Sequence, residues 1–366
     1  MKKKLDKSIG RIRLGEFFCG PGGIAYGAHL AAKSTKLFEI EHSWAVDNHP
    51  STCETYIRNI KGASDDSVFC EDIRRFNFKN LKNIQEEIDG FAFGFPCNDF
   101  SLVGEQKGMN GEFGPLYTYG IKALKLFKPK FFIAENVGGI TSANNGDALT
   151  KILSDLRAAG YLITPHLYKF EEYGVPQARH RLIVVGIHKD YGLKFKVPVP
   201  THVNKFVTAR QALEDKPIAK DAFNHDKAVQ SELVIERLKH ILPGENAWNA
   251  KLPKHLKLNV KGAKLSQIYK RLDPNRPSYT ITGSGGGGTH VYHWKEPRSL
   301  TNRERARLQT FPDSFEFIGA RESIRRQIGM AVPPIGAKVI FEAVIKTLAG
   351  IPYDYVETPS LNRKGR

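Results

Sequence analysis

The chain is predicted to be an α/β protein, a doubly wound and mostly parallel sheet with a smaller second domain. Three observations predict it. Between residues 12 and 188, short apolar runs alternate with stretches whose apolar residues recur every three to four positions, the pattern of strands feeding crossover helices. A glycine-rich turn, Phe18-Cys-Gly-Pro-Gly-Gly23, stands where the first strand meets the first helix. After about residue 188 the alternation gives way to a mixed polar, Lys-rich sequence that carries Pro198 and Pro200.

Strands are expected at 14–18, 43–47, 68–70, 90–95, 131–135 and 182–187. Leu116, Tyr119, Ala123, Leu124 and Phe127 share one helical face, and that helix stops ahead of Pro129. The sheet domain is taken as 1–190 and the second domain as 191–315. Within the latter, Thr301 and Glu304 stand at capping-box spacing before a short helix that Pro312 ends. From Gln327 to about Ile351 the chain is again apolar and helical after Pro333-Pro334. One amphipathic helix cannot bury its own face, so 316–366 is expected to return to the first domain.

With 366 residues, 41% hydrophobic and 25% charged, the composition is that of a soluble globular chain. Met-Lys-Lys-Lys is followed by Asp6 and Ser8 in place of an apolar leader, and no run approaches the ~18 apolar residues of a membrane span. A cytoplasmic protein with no membrane partner is expected. Cysteines at 19, 53, 70 and 97 form neither a disulfide framework nor a zinc-ligand spacing, which predicts reduced thiols and no metal. The 55 Lys and Arg against 38 Asp and Glu leave +17, favouring a polyanionic partner through counterion release. Charge does not separate DNA from RNA. Lys251, Lys254, Lys257, Lys261, Lys264, Lys270, Arg271 and Arg276 are opposed in their stretch only by Asp273, a candidate basic face.

Chemistry gathers at the predicted strand ends. Gly20, Gly22 and Gly23 allow close approach of a ligand to backbone, and the helix that follows offers free N–H groups. Asp47 ends the second strand, where a carboxylate can accept both hydroxyls of a ribose, and Asp72 follows the third. Gly20-x-Gly22-x-x-Ala25 also meets a loose dinucleotide fingerprint, so an NAD-type site stays open here. The run 90–95 leads into Pro96-Cys97, delivering a thiol to a sheet edge; cysteine already carries a few per cent of the reactive thiolate near neutrality. Glu135-Asn136-Val137 and Gln177-x-Arg179-x-Arg181 flank two further predicted strands.

In this set and order the sequence resembles the DNA (cytosine-5)-methyltransferases of bacterial restriction-modification systems. The matching pieces are Phe18-x-Gly-x-Gly-Gly23, Asp47, Asp72, Pro96-Cys97, Glu135-Asn136-Val137, Gln177-x-Arg179-x-Arg181, Arg298-x-Leu300-Thr301 with its helix to Phe311-Pro312, and Gln327-x-Gly329-x-Ala331-Val332-Pro333-Pro334. The resemblance implies a Rossmann-like fold dependent on S-adenosylmethionine, with Phe18, the glycines and Pro96 beside the cofactor, Asp47 on its ribose and Asp72 on its adenine. It implies that the variable region of about 190–300 recognises the target in double-stranded DNA, that a restriction endonuclease is the functional partner, and that the protein acts as a monomer. Cys97 would attack C6 of cytosine, Glu135 would act at N3, and Arg179 would hold O2 or a neighbouring phosphate, with Arg181 in the same motif.

The segment 98–115, polar and carrying Gly104, Gly108, Gly111 and Gly114, suits a loop closing over an extruded base, with Ser101 placed to meet a phosphate. The run 283–288 suits either close approach of a DNA backbone or a flexible linker. Two positions depart from the family's pattern. Residue 330 is Met where Asn is common, and 98–99 are Asn-Asp where Gln-Pro is commoner. Two other readings remain, a related enzyme acting on transfer RNA and a catalytically silent nucleic-acid binder. The long Lys-rich region speaks against the first, and the intact set Cys97, Glu135 and Arg179 against the second.

Overall fold

The structure, a computed structural model, describes residues 10–82, 87–95, 116–141, 146–259, 265–283, 287–357, 359 and 361. Pro96, Cys97 and the segment 98–115 lie outside the described residues, as do 284–286 of the glycine run. The chain divides into two compact units, one of Met1–Lys169, His180–Pro200 and Pro334–Arg366, the other of Phe170–Arg179 and Thr201–Pro333. The boundary read at 190 therefore falls at Pro200, and the one read at 315 falls at Pro333.

The first unit is built on β1 (Gly10–Phe17), β2 (Phe38–Asp47), β3 (Val68–Cys70), β4 (Gly90–Gly94), β5 (Phe131–Val137) and β6 (Tyr161–Lys169). The two-residue β7 (Gln177–Ala178) lies in the excursion to the second unit, and β8 (His180–His188) returns to the sheet. Sheet order is β3-β2-β1-β4-β5-β8-β6. The pairs from β3 to β5 are parallel, whereas β8 runs antiparallel to both its neighbours. The six predicted strands are present, and β6 is an addition. Its Pro165 argues against a strand in sequence, but β6 is an edge, where a missing N–H costs no ladder bond on the open side.

Helices α1 (Gly23–Thr35), α2 (Pro50–Asn59), α3 (Lys79–Lys82), α4 (Tyr117–Phe127) and α5 (Asp147–Ala158) join these strands. The predicted face of α4 is realised, and Lys128 at φ 47° ends it before Pro129. The core is an aromatic slab: Phe17 lies 5.2 Å from Trp44 and 5.2 Å from Phe91, and Phe91 stacks on Phe93 at 5.1 Å, all at most 1% exposed. Each such ring buries on the order of 150–250 Å², which makes the sheet a stiff platform for its loops.

The second unit holds less regular structure. Its elements are β7 paired in parallel with β9 (Ser278–Tyr279), and helices α6 (Ala209–Glu214), α7 (Glu232–Lys239), α8 (Asn302–Leu308) and α9 (Arg321–Met330). The capping box of Thr301 and Glu304 is formed at the start of α8. Irregular backbone leaves carbonyls to be satisfied, and buried arginines satisfy them. Arg271 donates to the carbonyls of Leu238, Ile241 and His293 at 2.8–3.0 Å, and Arg303 donates to those of Phe223, Pro312 and Phe315. Arg271, read from sequence as part of a basic face, is thus an internal tie. Lys251, Lys254, Lys257 and Arg276 are exposed as that reading requires, and Lys261 and Lys264 lie outside the described residues.

The last helix, α10 (Pro334–Ala349), belongs to the first unit and packs on α1.

Candidate active site

The glycine turn and Asp47 meet in the first unit. Parallel pairing of β1 and β2 brings the end of one strand beside the end of the other, and Gly20 N donates to Asp47 Oδ2 at 2.9 Å while His49 N donates to Oδ1 at 3.2 Å. Burial pushes the Asp47 carboxyl above its usual range, against the pull of these backbone donors. Gly20 and Gly22 adopt φ of 55° and 95°, the left-handed region that favours glycine. Phe18 adopts φ 52° and packs against the aromatic core. Among the described residues no side chain caps α1, which leaves its first N–H groups without a side-chain acceptor and able to serve an anionic ligand. An uncapped helix start beside a buried carboxylate fits a ligand carrying both a carboxylate and a ribose.

Asp72 is differently engaged. Arg74 donates to it from its backbone N at 2.9 Å and from Nε and Nη2 at 2.6–3.1 Å, and that side chain holds the Asp72 carboxyl below its usual value. An adenine amino group would have to share this carboxylate with Arg74.

At the far side of β4 the register sets Gly94 opposite Glu135. A Cβ at Gly94 would lie 3.2 Å from Glu135 Oε2, so the missing side chain leaves the carboxyl room. Arg181 Nε lies 2.8 Å from Glu135 Oε1, with both side chains 12% exposed, and Arg181 Nη1 donates to the His180 carbonyl at 2.8 Å. Asn136, quoted in the motif but given no role by the sequence, is 3% exposed and directs Nδ2 to the Phe95 carbonyl at 3.4 Å. It steadies the last described residue before Pro96-Cys97.

Arg179 does not join this pair. It is 1% exposed and belongs to the second unit, where Nη1 donates to the Ile281 carbonyl at 3.1 Å and Nη2 to those of Gly329 and Ala331 at 2.9 and 3.0 Å. Gln177 beside it bonds the Leu308 carbonyl and Gln309 Oε1 through Nε2, and accepts from Ile281 N. The Nη1 and Nη2 groups of Arg179, expected at O2 or a neighbouring phosphate, donate here to backbone carbonyls. The arginine at Glu135 is Arg181. Met330 protrudes, 66% exposed, between two residues whose carbonyls Arg179 holds.

A doubly wound sheet with a glycine turn, a strand-end carboxylate and a Glu–Arg pair at the next strand ends has the form of a nucleotide-cofactor enzyme site. The particular family follows from comparison. Residues 12–346 match the model of the C-5 cytosine-specific DNA methylases, and the chain belongs to that family. It is 57% identical to the type II methyltransferase M.BbvI of Brevibacillus brevis, over 97% of this chain and 95% of that one. It is 39% identical to M.NgoFVII of Neisseria gonorrhoeae, over 93% and 88%. Among solved structures, a putative DNA modification methyltransferase encoded within an Escherichia coli prophage shares the fold with a TM-score of 0.71, at 24% identity over 92% of this chain and 99% of that one. The reaction is transfer of a methyl group from S-adenosylmethionine to C5 of cytosine in DNA, which removes the NAD-type reading left open by the glycine turn.

Proposed function

We propose that the protein modifies one cytosine of a short double-stranded site through a covalent bond between Cys97 and C6 of a base swung out of the duplex. The observation that carries this reading is the Glu135–Arg181 pair, 2.8 Å apart and opposite Gly94, with Cys97 three residues further along the chain. Cytosine C5 is a poor nucleophile. Addition of the Cys97 thiolate to C6 breaks the C5=C6 double bond and drives its electrons toward C5, N3 and O2. Glu135 shares a proton with N3, and Arg181 steadies the carboxylate left behind while the guanidinium edge not used on Glu135 and His180 faces O2. S-adenosylmethionine, when bound, supplies an electrophilic methyl group on a sulfonium. Phe18, Gly20, Gly22, Gly23, Pro96 and Asp47 would hold it, with Asp72 at its adenine. Loss of the C5 proton to water or hydroxide then lets the thiolate leave C6, restoring the ring.

Arg179 serves in this reading as a positioning residue. The unit of Phe170–Arg179 and Thr201–Pro333 reads the target site. The type II names of the relatives support a mark that protects host DNA from a paired restriction endonuclease, set by a protein that acts as a cytoplasmic monomer.

Incubation with a labelled methyl donor and, side by side, duplex DNA and transfer RNA tests the reading. Label is expected in the DNA, with a Cys97-dependent adduct trapped by 5-fluorocytosine in the duplex. A Cys97→Ala variant that still transfers methyl groups would overturn it.

A further inference from the structure

The second unit contains a cationic cluster whose nearby acids, among the described residues, are engaged elsewhere or exposed. Helix α8 carries three arginines. Arg303 donates to three carbonyls, and Arg307 is paired with Asp313. Arg305 is 3% exposed, and among the described residues its guanidinium has no hydrogen-bond or ion-pair partner. The adjacent carboxylate does not answer it, because Glu304 is held by Arg298 at 2.7 and 2.8 Å.

The groups whose charge acts on Arg305 are Arg325 of α9, Tyr279, Glu304 and Tyr292, and Arg305 acts in turn on His290. Arg325 Nη1 lies 3.3 Å from His290 Nδ1, and its Nε is buried without a partner. The acid near Arg325 is Glu322, 3.8 Å away and 84% exposed. Burial, and after it Arg305 and Arg325, push His290 down to about 4. The ring is neutral near pH 7 and accepts from Arg325. Burial, and after it Arg325, bring Arg305 down to about 10, still cationic at neutral pH. The Tyr279 hydroxyl is spent on the Lys270 carbonyl.

Two desolvated cations of one sign repel each other, and a buried charge without a partner is costly. A tetrahedral oxyanion supplies both the missing charge and acceptors for the idle N–H groups, and the planar guanidinium fork matches it. We propose that Arg305 and Arg325 form a phosphate site in the second unit, occupied by a phosphodiester of the bound DNA. Arg325, with a side chain 15% exposed, is the entry side.

Two measurements on the full-length protein test this. The first is the salt dependence of binding to a mixed-sequence duplex between 50 and 200 mM NaCl. Arg305→Met is expected to make the slope of log K against log salt shallower by about one, so that it loses about threefold less affinity than the wild type over that range. The second is thermal unfolding with and without inorganic phosphate. Phosphate should raise the midpoint of the wild type and leave Arg305→Met unmoved, and without phosphate the variant should melt higher because a lone buried charge is gone. Lys220→Met, an exposed control outside the basic face, should keep the phosphate response. A lost phosphate response with an unchanged salt slope would overturn the DNA assignment in favour of free phosphate. Unchanged behaviour in both would overturn the site. Should Arg305→Met fail to fold, Arg325→Met is read in the same two assays with the same outcomes.

Discussion

Arg181 Nε lies 2.8 Å from Glu135 Oε1, and each side chain is 12% exposed. At that burial the pair is neither a surface ion pair nor fully desolvated, and a group docking against it would strengthen both charges. Replacing Glu135 by Gln keeps the shape and removes the proton that Glu135 is proposed to share with N3. Turnover is expected to fall by about 10²–10⁴, with cofactor affinity measured by calorimetry unchanged. Arg181→Lys keeps the charge but loses the planar fork, and should lower kcat at least tenfold.

Arg179→Met should act on stability. Three buried carbonyls, of Ile281, Gly329 and Ala331, lose charged donors, at about 1–3 kcal/mol for each group left unpaired. A fall of about 3 kcal/mol or more is expected in urea unfolding of the second unit. The folded fraction at low temperature should keep a kcat within a few fold of wild type, which a substrate-contacting arginine would not allow.

Asp47 and Asp72 should differ in weight. Asp47→Ala removes the acceptor of Gly20 N and His49 N together with the proposed ribose contact, and is expected to weaken S-adenosylmethionine binding by about 10²-fold. Asp72→Ala removes a carboxylate already held by Arg74, and should weaken binding by about tenfold or less. Equilibrium dialysis of the two variants ranks them.

Glu16 gives a pH signature. It is 1% exposed and accepts from the Tyr56 hydroxyl at 2.6 Å, and burial raises its carboxyl from 4.5 to about 8. The folded state therefore binds this proton more tightly than the unfolded chain. Its contribution is complete below about pH 4.5 and is lost as pH rises toward about 8. Between pH 6 and 9 the loss is on the order of 2 kcal/mol. Urea midpoints across that range should fall in the wild type and flatten in Glu16→Gln.

What the sequence made legible was local. Apolar runs, the glycine turn, the stop at Pro129 and the Thr301–Glu304 cap each follow from interactions within a few residues, and each is present. The strand β6 was hidden by Pro165, whose tolerance depends on lying at an edge that no local pattern announces. Arg179 and Arg181 were also indistinguishable in sequence. They stand two residues apart, and only the chain's return to the sheet at His180 sends one guanidinium to Glu135 and the other to carbonyls a hundred or more residues away. Cys97 was recognisable from its neighbours in the chain, whereas the Gly94–Glu135 register depends on the parallel pairing of β4 with β5, which no local pattern fixes.

The ten residues Phe170–Arg179 leave the sheet between β6 and β8 to complete the other unit. That unit is therefore not a removable cassette. A chimera that exchanges only 201–333 with a relative would pair foreign carbonyls with a resident Gln177 and Arg179, and a graft meant to transplant specificity must carry the short upstream piece as well. On the ribosome the same arrangement imposes a wait, since Arg179 is synthesised about 150 residues before the carbonyl of Gly329 that it binds.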